Sequence, residues 1–548
     1  MRPLRMLVQL LACLPFTGLA AHAQPVERPI VSVAQGRVAG TAEGGLHIFK
    51  GLPYAQAPVG ERRWRPPVPA TAWQGMRDAG AFGPSCVQPP VPRESVYYDP
   101  PAAMSEDCLT LNVWAPANAS RAPVIVWIHG GSLRIGGSAE PLFDGANFAR
   151  RGVVFVSINY RLGILGWFAH PALSAESPRR ASGNYGLLDQ LEALRWVRAN
   201  IAAFGGDPRN VTIMGESAGA LSATYLLVSP LARGLFARAI VQSTNLRAMP
   251  ELRREAYGLT PAEEIGTAFA GTVGARDLAA LRAMDAEALV RAALGQRFNA
   301  QGTLDGWALP RQVLDAFDAG EQARVPLLTG FTSGEMRTGL VPIGPVPPSA
   351  EAYEAEMRRR YGENAPAFLA LYPSSDIRES MLAALRDIVF GWSSERMARH
   401  YAAAGIPAYL YLFDHCYPSA RSRDLCAFHA AELPYMFGNL GAGAGLPPNW
   451  PLPDGPEDGA LSEAMMDYWV AFARTGRPDA AGRPRWRPYA EGEAFMRFAG
   501  RPIAETDMLP GMFEAQDAWV GSRRRAGRQW LPQTGDPALR TDRREPSN

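Results

Sequence analysis

Lysine is all but absent from this chain. Lys50 is the only one among 55 basic residues, a bias that reads as arginine-favouring genome composition rather than function. Charge of either sign is not in excess either: 55 basic against 53 acidic residues give a formal +2. No basic stripe covers the body of the chain, so no nucleic-acid partner is expected. No internal apolar run reaches about 18 residues, so no membrane span is expected. Histidines number seven and cysteines five, with no cluster at zinc-ligand spacing, so neither a metal nor an organic cofactor is expected. There is no internal repeat and no clear linker, and no oligomeric state is read from the sequence.

What is present suits a large globular body. The chain has 548 residues and 47% hydrophobic content, ample for a core. Residues 1–23 resemble a secretory signal: Arg2 and Arg5, a mostly apolar Leu7–Leu19, then Ala21-His22-Ala23 ahead of Gln24. The run is too short for an anchor. Leu10-Leu11-Ala12-Cys13 is only loosely a lipobox, and Cys13 comes too early for one. Four cysteines remain after cleavage, an even number that in an exported protein suggests two disulfides. The sequence-local pairing is Cys86–Cys108 and Cys416–Cys426. Residues 24–520 are expected to form one domain, and the Arg-rich stretch 521–548 a solvated, disordered tail. The expected location is secreted or periplasmic.

Short apolar runs at Val124–Ile128, Val153–Ile158, Val211–Met214, Arg238–Gln242, Leu327–Thr329 and Ala408–Phe413 read as strands. A helical pattern from Leu187 to Asn200 and Ala/Leu/Glu-rich stretches at 260–320 and 350–400 lie among them. Alternating strands and helices predict an α/β fold with a large, mostly parallel sheet covered on both faces.

Gly215-Glu216-Ser217-Ala218-Gly219 follows one of these strands and opens a helix-like segment. Strand, sharp turn, helix is the setting of a nucleophile elbow, in which glycines let the serine hydroxyl stand above the sheet. In a Gly-rich chain such a pentapeptide arises by chance in roughly one sequence in three or four, so partners must carry the case. A serine hydroxyl needs a base, a group to orient that base, and donors for the oxyanion. In the order serine, acid, histidine, His400, His415 and His429 remain as bases. His429 stands in a loop ahead of a helix, His400 within a helix, and His415 beside Cys416, which local reasoning leaves open. Glu335, after Leu328-Thr329-Gly330 and a polar turn, is the acid candidate, although a lone loop carboxylate is more often simply solvated. His129-Gly130-Gly131-Ser132-Leu133 follows the Val124–Ile128 strand and, with the Ala218 N–H, is the candidate oxyanion hole.

The chain resembles the type-B carboxylesterases of the cholinesterase/carboxylesterase family. Phe204-Gly205-Gly206-Asp207-Pro208 through Gly219 is similar to that family's serine signature, and Glu106-Asp107-Cys108-Leu109-Thr110-Leu111-Asn112-Val113 to its second signature. Phe49–Ala55, Asn159-Tyr160-Arg161, Gly183–Gln190 and Tyr468–Ala473 also resemble family motifs, in family order from about residue 30 to 490. The resemblance implies an α/β-hydrolase fold, Ser217 as nucleophile, Glu335 as acid, His429 as base, an oxyanion hole around Gly130, Gly131 and Ala218, and the disulfide Cys86–Cys108. It implies a structural pair between Glu106 and Arg161, and Glu216 at the base of the gorge. Ser132 departs from the usual small third residue. Tyr98 stands where cholinesterases carry the choline-binding tryptophan, which disfavours a cholinesterase. Arg134, past the oxyanion loop, could favour acidic substrates such as the tricarballylate esters of fumonisin toxins, cleaved by some bacterial relatives. The expected partner is a small-molecule ester. A catalytically silent binding protein, an amidase and a lactonase are the alternatives on the same fold.

Overall fold

The computed structural model describes residues 28–531, positions 340 and 442 excepted. The expected leader lies outside the described residues.

Eleven strands form one sheet, here numbered β1 (Thr41–Glu43), β2 (Leu46–Pro53), β3 (Thr110–Pro116), β4 (Ala122–Ile128), β5 (Val154–Ile158), β6 (Gly206–Glu216), β7 (Arg238–Gln242), β8 (Leu327–Thr332), β9 (Ala408–Phe413), β10 (Ala494–Phe498) and β11 (Pro502–Thr506). Their spatial order is β11-β10-β9-β8-β7-β6-β4-β5-β3-β2-β1. β5, β4 and β6 through β10 are parallel, and antiparallel strands close both edges. The chain crosses over at β4, so the loops after β4 and β6 open at a topological switch point, where ligands bind in such sheets.

Buried parallel strands need apolar residues on both faces. In β4, Val124, Val126 and Ile128 enter one core, and Ile125 and Trp127 enter the other. The first core is covered by helices α1 (Tyr185–Asn200) and α2 (Ala218–Val228), the second by α3 (Asp458–Thr475). This is the α/β-hydrolase arrangement. Both expected disulfides are present, Cys86–Cys108 and Cys416–Cys426.

Two expectations are corrected. Glu106 does not pair with Arg161. Asp189 on α1 takes Arg161 through Nε at 2.8 Å and Nη2 at 2.7 Å, and Arg63 takes Glu106 at 2.5 Å. A buried guanidinium is held by the carboxylate that reaches it in two-pronged geometry, and the helix brings Asp189 under Arg161. Nor is the whole of 521–548 a loose tail. Helix α4 (Met512–Arg525) runs past residue 520, Trp530 and Leu531 are buried, and Trp530 Nε1 donates to Leu246 O at 2.7 Å. Of its three arginines, Arg524 is ion-paired, meeting Asp315 at 2.5 Å and Asp318 at 2.8 Å, and Arg523 Nε donates to Gln529 O at 2.8 Å. Residues beyond 531 lie outside the description.

Candidate active site

β6 ends at Glu216 and α2 begins at Ala218, which leaves Ser217 alone in the turn with φ 55° and ψ −120°. A non-glycine residue there is strained, and such strain gathers at functional sites. Gly219 is required by packing, since a Cβ on it would come within 1.9 Å of Ile128 O. The helix can therefore seat directly against the end of β4.

His429 Nε2 lies 2.8 Å from Ser217 Oγ, and its Nδ1 hydrogen-bonds to Glu335 Oε2. The other oxygen of Glu335 accepts from Ser243 Oγ at 2.7 Å and from Thr332 N at 2.9 Å. Gly334 N donates to Ala427 O at 2.9 Å and ties the acid's loop to the base's loop. Two groups seat His429 from outside: Tyr97 OH donates to its main-chain carbonyl at 2.9 Å, and the Phe390 ring stacks on the imidazole at 5.2 Å. Phe390 belongs to a π-helical turn, Asp387–Gly391, of the kind frequent at functional sites.

The other two candidate bases lie elsewhere. His415 Nε2 is 2.5 Å from Asp458 Oδ1, which also accepts from Tyr435 OH at 2.9 Å. His400 Nε2 is 3.3 Å from Asp318 Oδ1. Only His429 reaches Ser217.

Carboxylates crowd this histidine. Glu216 Oε1 stands 3.1 Å from His429 Nε2. Glu432 Oε1 accepts from Gln242 Nε2 at 3.1 Å. Burial, opposed by His429, pushes Glu216 up to about 8, and burial with the charge of Glu335 pushes Glu432 up to about 7. Burial alone would lower His429, but Glu216 and Glu335 outweigh it and raise it to about 9.

The loop after β4 lies against Ser217, because a Cβ on Gly130 would fall 3.3 Å from Ser217 Cβ. Gly131 O accepts from Arg134 N and Ile135 N, both at 3.0 Å, so the loop curls on itself. Gly131 (φ 95°), Ser132 (57°) and Leu133 (58°) are all left-handed. The N–H groups of Gly131 and Ser132 bond to nothing among the described residues, and that of Ala218, first in its helix, has no intrahelical acceptor. Three donors are thus free beside Ser217. His129 stacks on Tyr160 at 4.5 Å with Nδ1 2.9 Å from Gly130 O, and burial lowers it to about 4, so it braces the loop as a neutral ring.

Two expected substrate-binding residues make no such contacts. The Tyr98 side chain has no hydrogen bond or ring contact among the described residues, and its neighbour Tyr97 is the tyrosine that touches His429. Arg134 is half-buried and has no acidic partner among the described residues. No cluster of three or more His, Cys, Asp or Glu among the described residues could hold a metal.

A serine hydroxyl hydrogen-bonded to a buried imidazole, with three free N–H groups nearby, suits acyl transfer. The model of the carboxylesterase family matches residues 27–508. The chain belongs to the carboxylesterase family. It is 38% identical over 479 residues to the para-nitrobenzyl esterase of Bacillus subtilis (strain 168), covering 84% of this chain and 93% of that one. It is 36% identical over 502 residues to the fumonisin B1 esterase of Sphingopyxis macrogoltabida, covering 88% and 89%. Among solved structures it is similar to a PNB esterase, with a TM-score of 0.77, 34% identity and coverage of 89% and 99%. It is also similar to the carboxylesterase of Geobacillus stearothermophilus, with a TM-score of 0.74, 35% identity and the same coverages. This carboxylesterase is a carboxylic ester hydrolase. Sequence reasoning missed Tyr97, Ser243, Phe390 and Glu432 as parts of its site, because each acts through a fold-dependent neighbour and none belongs to a spaced motif.

Proposed function

We propose that the chain is an exported serine carboxylesterase that works through an acyl-enzyme. His429 Nε2 takes the proton of Ser217 Oγ as that oxygen attacks the ester carbonyl. The carbonyl oxygen gathers charge against the N–H groups of Gly131, Ser132 and Ala218. Glu335, held by Ser243 and Thr332, orients the imidazole and stabilises its charged form. The C–O bond then breaks, and His429 gives its proton to the departing alcohol. Water, deprotonated by the same nitrogen, attacks the acyl-serine, and the acid leaves as Ser217 recovers its proton.

The observation that carries this reading is the unbroken hydrogen-bond path from Ser217 Oγ through His429 to Glu335. Purified protein should turn over 4-nitrophenyl butyrate, and S217A should lose at least about 10⁴-fold in kcat. A folded wild-type protein with no turnover would favour the silent binding protein instead.

Export is supported by the leader-like residues 1–23 and by two disulfides, which persist in oxidising compartments. No helix among the described residues is long and apolar enough to cross a membrane. Mass spectrometry of the mature N-terminus, expected at Gln24, tests it. A second reading narrows the substrates to carboxylate-bearing esters. It is favoured by the unpaired Arg134 near the oxyanion loop and by similarity to a protein named fumonisin B1 esterase.

A further inference from the structure

Arg247 is a buried cation without an anion. It is only 8% exposed, yet among the described residues its side chain makes one hydrogen bond, Nε to Asn245 Oδ1 at 2.6 Å, and no ion pair. The other buried arginines are neutralised: Arg63 by Glu106, Arg161 by Asp189, Arg282 by Glu176. The two terminal nitrogens of Arg247 have no protein acceptor and still keep accessible surface, whereas the unpaired Nη1 of Arg161 is sealed. Burial lowers the pKa of Arg247, and the nearby Tyr225 phenol opposes this. A guanidinium nonetheless stays charged in a protein. Burying it unpaired costs several kcal/mol, a cost that an incoming anion would remove.

The chain path carries this charge four residues beyond Ser243. Gln242, the last residue of β7, accepts the N–H of Ser217 at 2.9 Å, and Ser243 donates to Glu335. Thr244 Oγ1 is 2.9 Å from Thr224 Oγ1 on α2, and Leu246 N donates to Ser393 Oγ at 3.1 Å. Arg247 comes next. Tyr225 lies eight residues after Ser217, about 12 Å along the axis. Its phenol oxygen accepts from Gly302 N at 3.2 Å.

The charges also divide by side. The leaving alcohol must sit beside His429, which protonates it, and there the Glu335 carboxylate on Nδ1 would repel an anion. A carboxylate held by Arg247 therefore fits the acyl group rather than the alcohol.

We propose that Arg247 binds a carboxylate on the acyl side of the substrate, so that half-esters of dicarboxylic acids are preferred. This rests on the esterase reading above. The acyl group passed to Ser217 keeps its free carboxylate against the guanidinium and leaves as the dicarboxylate on hydrolysis.

The test compares 4-nitrophenyl hydrogen adipate with methyl 4-nitrophenyl adipate, which has the same chain with its charge capped. Wild type should favour the acid in kcat/KM. R247Q should cut the acid-to-ester ratio by about 10–100-fold, the worth of a charge-assisted hydrogen-bond pair. R247K, a point charge without the fork, should fall between. An unchanged ratio in R247Q overturns the proposal, as does a ratio abolished by R134Q but kept by R247Q. Should R247Q fail to fold, inhibition of wild type decides: adipate must outcompete hexanoate against the neutral ester, and parity overturns the assignment. Folded wild type that cleaves neither ester ends the esterase reading and this one with it. Cleavage of both without preference ends only this one.

Discussion

Glu216 and Ser217 are consecutive in the chain, yet their side chains meet on one atom: His429 Nε2 lies 3.1 Å from the Glu216 carboxylate and 2.8 Å from the Ser217 hydroxyl. The nitrogen proposed to accept the serine's proton is thus shared with a second acidic group, one that burial pushes up to about 8.

That arrangement sets a pH dependence. His429 must be neutral to act as base, so kcat/KM falls as pH drops through its folded pKa. Glu216 and Glu335 overcome burial and hold that pKa near 9. Removing one carboxylate favours the neutral ring. E216Q should therefore move the acid limb of the pH profile to lower pH, with a smaller plateau because the imidazolium has lost a partner. An acid limb that stays in place or moves upward would contradict the role given to Glu216.

His415 offers a contrast of role. It is buried against Asp458, and removing it leaves a buried carboxylate short of its partner. H415A should lower stability by about 3 kcal/mol while kcat per folded molecule stays within about threefold. Urea unfolding beside active-site titration separates the two. A loss of kcat equal to that of H429A would make His415 a second base.

Ser132 occupies the left-handed region at φ 57°, where an L-residue costs about 1 kcal/mol. S132G should gain up to that amount in stability, less the greater freedom glycine gives the unfolded chain. Thermal melts with kcat on one neutral ester would show both effects. A lower Tm would mean that the Ser132 side chain is itself held by contacts worth more than the strain.

The Cys416–Cys426 bridge closes a separation of 10 residues that ends three short of His429. The chain-entropy relation gives about 3 kcal/mol for a loop of that size. The double variant C416S/C426S should lose roughly this much in denaturant melts, with activity failing at lower urea than in wild type. Coincident activity and unfolding midpoints in both proteins, unshifted, would remove the bridge's structural role.

Much of the fold was legible in the residues because its signals are local. Arg238–Gln242 and Ala408–Phe413 emerge as strands with the very bounds read from their apolar runs. The turn at Ser217 and the loop of His429 follow from glycine spacing and from what histidine chemistry demands. Misreadings came where one side chain's choice depends on distant chain. Arg161 had two acids available in principle, and only the packing of α1 decides for Asp189. Tyr97 went unread for a related reason, since only the backbone's course turns it to His429. The helix past residue 520 escaped notice because its arginines look solvated until Asp315 and Asp318, some two hundred positions earlier, are seen opposite Arg524.

The bond from the Trp530 indole to the Leu246 carbonyl joins the last described turn of the chain to the residue just before Arg247. The last described turn thus braces the segment that carries Arg247. Trimming by proteases, or fusion of a tag close behind Trp530, would act on that segment without touching it, so the acid preference proposed for Arg247 can drift through changes made there while the proton relay stays intact.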